Sequence, residues 1–209
     1  KTMIIKIAPK ANKLQVEIKG NCYYLDNFLN EIFILYVLNN LKEFLSPTEY
    51  QKFNKKRLGR LILKNYRIGQ TNKNIFSINE KIGFKLDNQY YSNLKDLFNN
   101  NYLEVLRKGE PKIKKQFLTW LVNKLSQFFD LLHFLAINLS FIHSDLKLNN
   151  IFIRKNHYAK NKNFISNVDF LLADVDKSNL KINVTRVLPK TDKLYQSKLL
   201  LKTRMKYMY

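Results

Sequence analysis

Residues 141–153 constrain the chain more than any other stretch, because His143, Asp145, Lys147 and Asn150 sit on a polar run between two apolar ones. Upstream, Phe117, Trp120, Leu121, Leu125, Phe128 and Leu132 follow Gly109-Glu110-Pro111 at helical spacing, which predicts a long helix ending near Asn138. Downstream, Ile151-Phe152-Ile153 reads as a strand, and Phe170-Leu171-Leu172 as another that runs into Ala173-Asp174-Val175-Asp176. A polar loop tethered at both ends by buried elements can present its side chains to a cleft at fixed separations.

Phosphoryl transfer needs an acceptor oxygen held in line with the phosphorus, cations against the phosphate charge, and ligands for those cations. The pattern His143-x-Asp145-x-Lys147-x-x-Asn150 supplies such a set. Asp145 can accept the proton of an incoming hydroxyl, Lys147 can neutralise the terminal phosphate, and Asn150 can turn its amide oxygen to Mg²⁺. His143 reads as a packing and hydrogen-bonding residue of the loop. On these residues the segment resembles the catalytic loop of eukaryotic-type protein kinases, with Ser144 where the family has Arg. The Lys- and Asn-rich, shortened form is most similar to divergent kinases of large DNA viruses and to bacterial effector kinases.

The resemblance implies an α+β, two-lobed kinase-like fold that takes ATP and Mg²⁺ and phosphorylates a protein Ser or Thr hydroxyl. It assigns residues 1–98 to the small lobe and the segment joining the lobes, and residues 99–209 to an abbreviated large lobe with a basic tail. Asp174 takes the place of the family's metal-binding Asp, although Asp-Phe-Gly is here Asp174-Val175-Asp176. Lys6, in Ile4-Ile5-Lys6-Ile7, resembles the strand lysine that holds the α- and β-phosphates, with Glu31 as its ion-pair partner. Glu17 is the rival partner, but the alternation of Leu14, Val16 and Ile18 turns it to the opposite face. Residues 79–83 resemble the segment joining the lobes. The strands and Gly-rich loop expected before Lys6, and much of the activation segment expected after Asp176, are not found. The reduced lobes and the altered Asp174 motif leave an alternative open: a kinase-derived subunit, weak or dead in catalysis, that holds RNA or an assembly partner.

Elsewhere, residues 3–7 and 14–18 read as strands, and a helix runs from Asp26, as N-cap, until Ser46-Pro47 breaks it. Residues 61–63 and 75–78 read as strands around the polar turn 70–74, and residues 92–98 as a short helix. The chain contains no Gly-x-Gly-x-x-Gly and no Walker-type phosphate loop. His133, His143 and His157 lack metal-ligand spacing, which argues against a zinc site.

With 37 basic and 16 acidic side chains, the net charge of +21 suits an anionic partner: an acidic or phosphorylated protein surface, RNA, or a multi-subunit assembly. The excess is densest at residues 154–163 and 185–209, where leucines at 194 and 199–201 suggest a docked helix with exposed cations. The single Cys22 excludes an internal disulfide and fits a reducing intracellular compartment. The apolar runs are too short to span a bilayer.

Overall fold

The computed structural model describes residues 3–9, 27–86, 89–99, 108–155 and 168–182. Strand 14–18 with Glu17, the Asp26 cap, Cys22, most of the basic loop 154–163 and the tail 185–209 lie outside the described residues. In chain order the elements are β1 (Met3–Pro9), α1 (Asn27–Asn39), α2 (Leu41–Phe44), α3 (Pro47–Lys55), β2 (Asn65–Gln70) and β3 (Asn74–Glu80). Next come β4 (Phe84–Leu86), β5 (Gln89–Tyr91), α4 (Leu94–Leu97), α5 (Pro111–Leu139), β6 (Ile151–Lys155) and β7 (Val168–Leu172). Helices and antiparallel sheets make this an α+β protein.

The strands form three small sheets: β1-β3-β2, the β4–β5 hairpin and the β6–β7 hairpin. In the first, Lys6 lies opposite Ser77 and Ile4 opposite Asn79, so these four side chains share one face of the sheet. That face is polar. Asn65 Nδ2 donates to Ser77 Oγ (2.8 Å) and Asn79 Oδ1 (2.9 Å), and both Ser77 and Asn79 are buried.

Ser46-Pro47 begins a helix where the sequence predicted only a break. Ser46 Oγ accepts from Glu49 N, and Glu49 Oε2 accepts from Ser46 N, closing a capping box on α3 with Pro47 in its first turn. Residues 61–63 are likewise not a strand. A 3-10 turn over Leu58–Leu61 ends in a single bridge, with Leu63 N donating to Leu172 O at 3.1 Å. The apolar run there reflects burial from several sides. β2, which the sequence did not suggest, is a polar, half-exposed strand.

One hydrophobic core joins these parts. Phe33, Ile34 and Val37 of α1, Phe53 of α3, Phe128 and Leu135 of α5, and Ile153 and Phe170 of the β6–β7 hairpin belong to a single buried cluster. Each such side chain contributes about 1.5–3 kcal/mol by leaving water. α3 seats on α5 through Phe53 and Phe134, whose ring centroids lie 5.5 Å apart. No helix among the described residues is long and apolar enough to cross a membrane.

Candidate active site

α5 stops at Ser140, which takes a left-handed conformation (φ 47°) and whose N–H returns to Leu135 O. The chain then enters the polar loop. His143 is buried; its Nε2 lies 3.2 Å from Ala173 O, and its ring meets Phe141 edge-on. The histidine therefore ties the loop to the segment after β7, the packing role its sequence suggested. Ser144 is also left-handed (φ 59°), which tightens the turn so that Asp145 N donates to His143 O at 2.8 Å.

Asp145 is the centre of the loop's polar contacts. Lys147 Nζ meets Asp145 Oδ1 at 3.2 Å and Oδ2 at 3.0 Å. Asn150 Nδ2 donates to Asp145 O at 2.9 Å and to Oδ2 at 3.3 Å. A further cation, Lys177 Nζ, approaches Asp145 Oδ2 at 3.3 Å. The hydrogen bond from Lys147, then that from Lys177, holds the Asp145 carboxyl below the usual carboxylate range.

The β6–β7 register carries Asn150 and Asp174 to one end of the hairpin. Ile151 pairs with Leu172, so Asn150 immediately precedes the paired strand and Asp174 lies two residues beyond its partner. Asp174 is half-buried, left-handed at φ 52°, and makes no ion pair among the described residues. The amide of Asn150 is oriented by its bonds to Asp145, which leaves Oδ1 as the oxygen to offer a cation. An amide oxygen and a carboxylate are hard donors that fit Mg²⁺, an ion that commonly takes one or two carboxylates and completes its shell with phosphate oxygens and water. No cluster of three or more His, Cys, Asp or Glu that could hold a metal occurs among the described residues.

At the other side, Lys6 Nζ and Glu31 Oε1 lie 2.6 Å apart, joining β1 to α1 across 25 residues. Glu31 is buried and Lys6 half-exposed. The neighbouring Asn30 reaches the opposite way: its Nδ2 donates to Asp176 O and, at 3.0 Å, to Ser178 O. Adjacent residues of α1 thus hold both the lysine strand and the turn after Asp174. Asn30, Lys177 and Ser178 escaped the sequence reading. The only sequence signal for Lys177 was its place directly after the acidic turn 174–176.

In the segment 79–83, Glu80 is drawn into the body. Arg154 Nη1 bonds its two oxygens at 2.9 and 3.1 Å, and Lys64 N donates to Oε1 at 2.8 Å. Gly83 N donates to Ile153 O at 3.1 Å, and Ile82 O accepts from the Tyr90 hydroxyl. These two backbone groups are therefore engaged within the protein rather than open to a purine. No protein-family model matches the sequence, and no curated protein matches it either.

Proposed function

We propose that the chain is a Mg²⁺- and ATP-dependent Ser/Thr kinase-like phosphotransferase built on a two-lobed kinase-like fold. The observation that carries this reading is the Lys6–Glu31 ion pair at 2.6 Å. Kinase catalysis requires a strand lysine paired with a helix glutamate. The kinase resemblance of the loop 143–150 named both residues, and the ion pair joins them although they lie more than a hundred residues from that loop.

In this reading Lys6 holds the α- and β-phosphates. Asn150 and Asp174 would hold Mg²⁺, which when bound neutralises phosphate charge. Asp145 takes the proton of a Ser or Thr hydroxyl as that oxygen bonds the terminal phosphorus. The bond from phosphorus to the bridging oxygen breaks, ADP leaves, and Lys147 meets the charge on the transferred group. The acceptor is a protein with an acidic or phosphorylated surface, the complement of a +21 chain.

Calorimetric titration of Mg²⁺-ATP into wild type, Lys6→Met and Asp174→Asn, with phosphate transfer assayed in Asp145→Asn, tests the reading. The first two variants should weaken nucleotide binding. Asp145→Asn should keep it and lose roughly 10²–10⁴-fold in transfer. A wild type that takes up no Mg²⁺-ATP would remove the proposal. A second reading, a catalytically weak or dead binding subunit, is favoured by the exposed apolar face of α5, where Leu118, Val122 and Phe129 are 49%, 62% and 52% exposed. It gains if the protein captures RNA or an assembly partner while nucleotide binding is absent.

A further inference from the structure

The turn after Asp174 brings a second ammonium group to the site. Lys177 and Lys147 share Asp145 Oδ2, at 3.3 and 3.0 Å, and both side chains are more than half exposed. The backbone beneath Lys177 is fixed by buried groups. Asn30 Nδ2 holds Asp176 O and Ser178 O, and Ser178 Oγ donates to His143 O at 3.1 Å. Residues 142 and 179 exchange both backbone hydrogen bonds, at 2.9 and 2.8 Å. The fold therefore positions the base of Lys177 and leaves its four-carbon stem free to swing.

Two ammonium groups thus converge on the one carboxylate of Asp145. Asp145 Oδ2 also lies 3.3 Å from Asn150 Nδ2, so an acceptor hydroxyl reaches that oxygen only when a donor withdraws. Asn150 is anchored by its second bond, to Asp145 O. Lys147 meets both carboxylate oxygens, at 3.2 and 3.0 Å, whereas Lys177 meets Oδ2 alone at 3.3 Å, so Lys177 is the more weakly held donor and the one to leave first. An exposed ammonium is open to an anion arriving from solvent, and Lys suits phosphate as a compact point charge.

We propose that Lys177 and Lys147 form a two-cation cradle for a terminal phosphoryl dianion, and that arrival of the phosphate draws Lys177 off Asp145 and frees Oδ2 for the acceptor. Its catalytic use rests on the phosphotransferase reading; its ligand chemistry does not. Two sources present the same group: the terminal phosphate of a nucleotide, and a phosphate already on the acceptor.

Calorimetry on wild type, Lys177→Met, Lys177→Arg and Lys6→Met separates them, using Mg²⁺-ATP, Mg²⁺-ADP, a phosphoserine peptide and its unphosphorylated counterpart. Lys177→Met should lose roughly tenfold in affinity, the scale of one charge-assisted hydrogen bond, and Lys177→Arg should recover much of it. Loss toward ATP but not ADP assigns the terminal phosphate. Loss toward the phosphopeptide but not its counterpart assigns the acceptor, and loss in both arms means that the two share the cradle. Equal losses toward ATP and ADP alone place Lys177 on the inner phosphates and overturn the cradle. So does a Lys177→Met protein that binds every probe like wild type, or a wild type that binds none. If Lys6→Met loses ATP while Lys177→Met binds every probe like wild type, the cradle fails and the kinase reading stands; if the phosphopeptide depends on Lys177 while ATP does not bind, the reverse holds.

Discussion

Asp145 accepts bonds from two lysines and an asparagine, and its carboxyl is held below the usual range chiefly by Lys147 and next by Lys177. A lowered pKa keeps the carboxylate, the form that accepts a proton, at pH values where a free aspartate with a pKa near 3.9 is already protonating. Carbon-13 titration of Asp145 should show its apparent pKa rising in Lys177→Met and rising further in Lys147→Met, the order of the two causes. Equal values in all three proteins would mean that the lysines do not dwell on the carboxylate in solution. Gly83 is a residue of another kind. Its φ of +90° is strained for any other residue, and an added Cβ would sit 2.6 Å from Tyr91 O. Gly83→Ala should therefore cost about 1–3 kcal/mol in denaturant unfolding, and an unchanged midpoint would show that the 81–83 turn relaxes freely.

At the scale of elements, α3 separates entry from docking. Ser46→Ala removes one half of the capping box and should cost about 1 kcal/mol. Phe53, 5% exposed and packed on Phe134 of α5, should cost about 3–5 kcal/mol as Phe53→Ala. If the two substitutions cost the same in urea unfolding, α3 is not docked through that ring. The same helix shows what was legible in the sequence. α5 and the β6–β7 hairpin were readable because a long 3.6-residue period and short apolar runs leave few alternatives. α3 was not, because Ser-Pro ends one helix and opens the next with the same letters. β2 escaped because Asn65–Gln70 is polar and half-exposed, held by pairing with β3 rather than by an apolar stripe. In the site, Asp145, Lys147 and Asn150 could be read as a set from local spacing. Lys6 and Glu31 were linked only through the kinase resemblance, since nothing local connects residues 25 apart. Lys177 and Asn30 depend on long-range contacts that no local pattern encodes.

Across the whole molecule, Lys6 sits on the β1-β3-β2 sheet while Asn150 and Asp174 sit at the β6–β7 hairpin, so the two must be held in register for the site to exist. The Arg154–Glu80 pair is a direct tie between them: Arg154 is on β6 and Glu80 ends β3, with side chains 20% and 10% exposed. Arg154 Nη2 also reaches Arg60 O, adding the 3-10 turn to the junction. Removing one member of so enclosed a pair leaves the other charge without its partner, and Arg154→Leu should cost about 3 kcal/mol. Removing both leaves no stranded charge, so Arg154→Leu with Glu80→Leu should unfold at higher denaturant than Arg154→Leu alone. Nucleotide binding gives the second readout. If the pair sets the register between sheet and hairpin, Mg²⁺-ATP affinity should fall in the single variant and stay low in the double, even where stability returns. Recovery of both together would show that the tie supplies stability alone, and that the hydrophobic core shared by α1, α5 and the hairpin is enough to align Lys6 with Asp174.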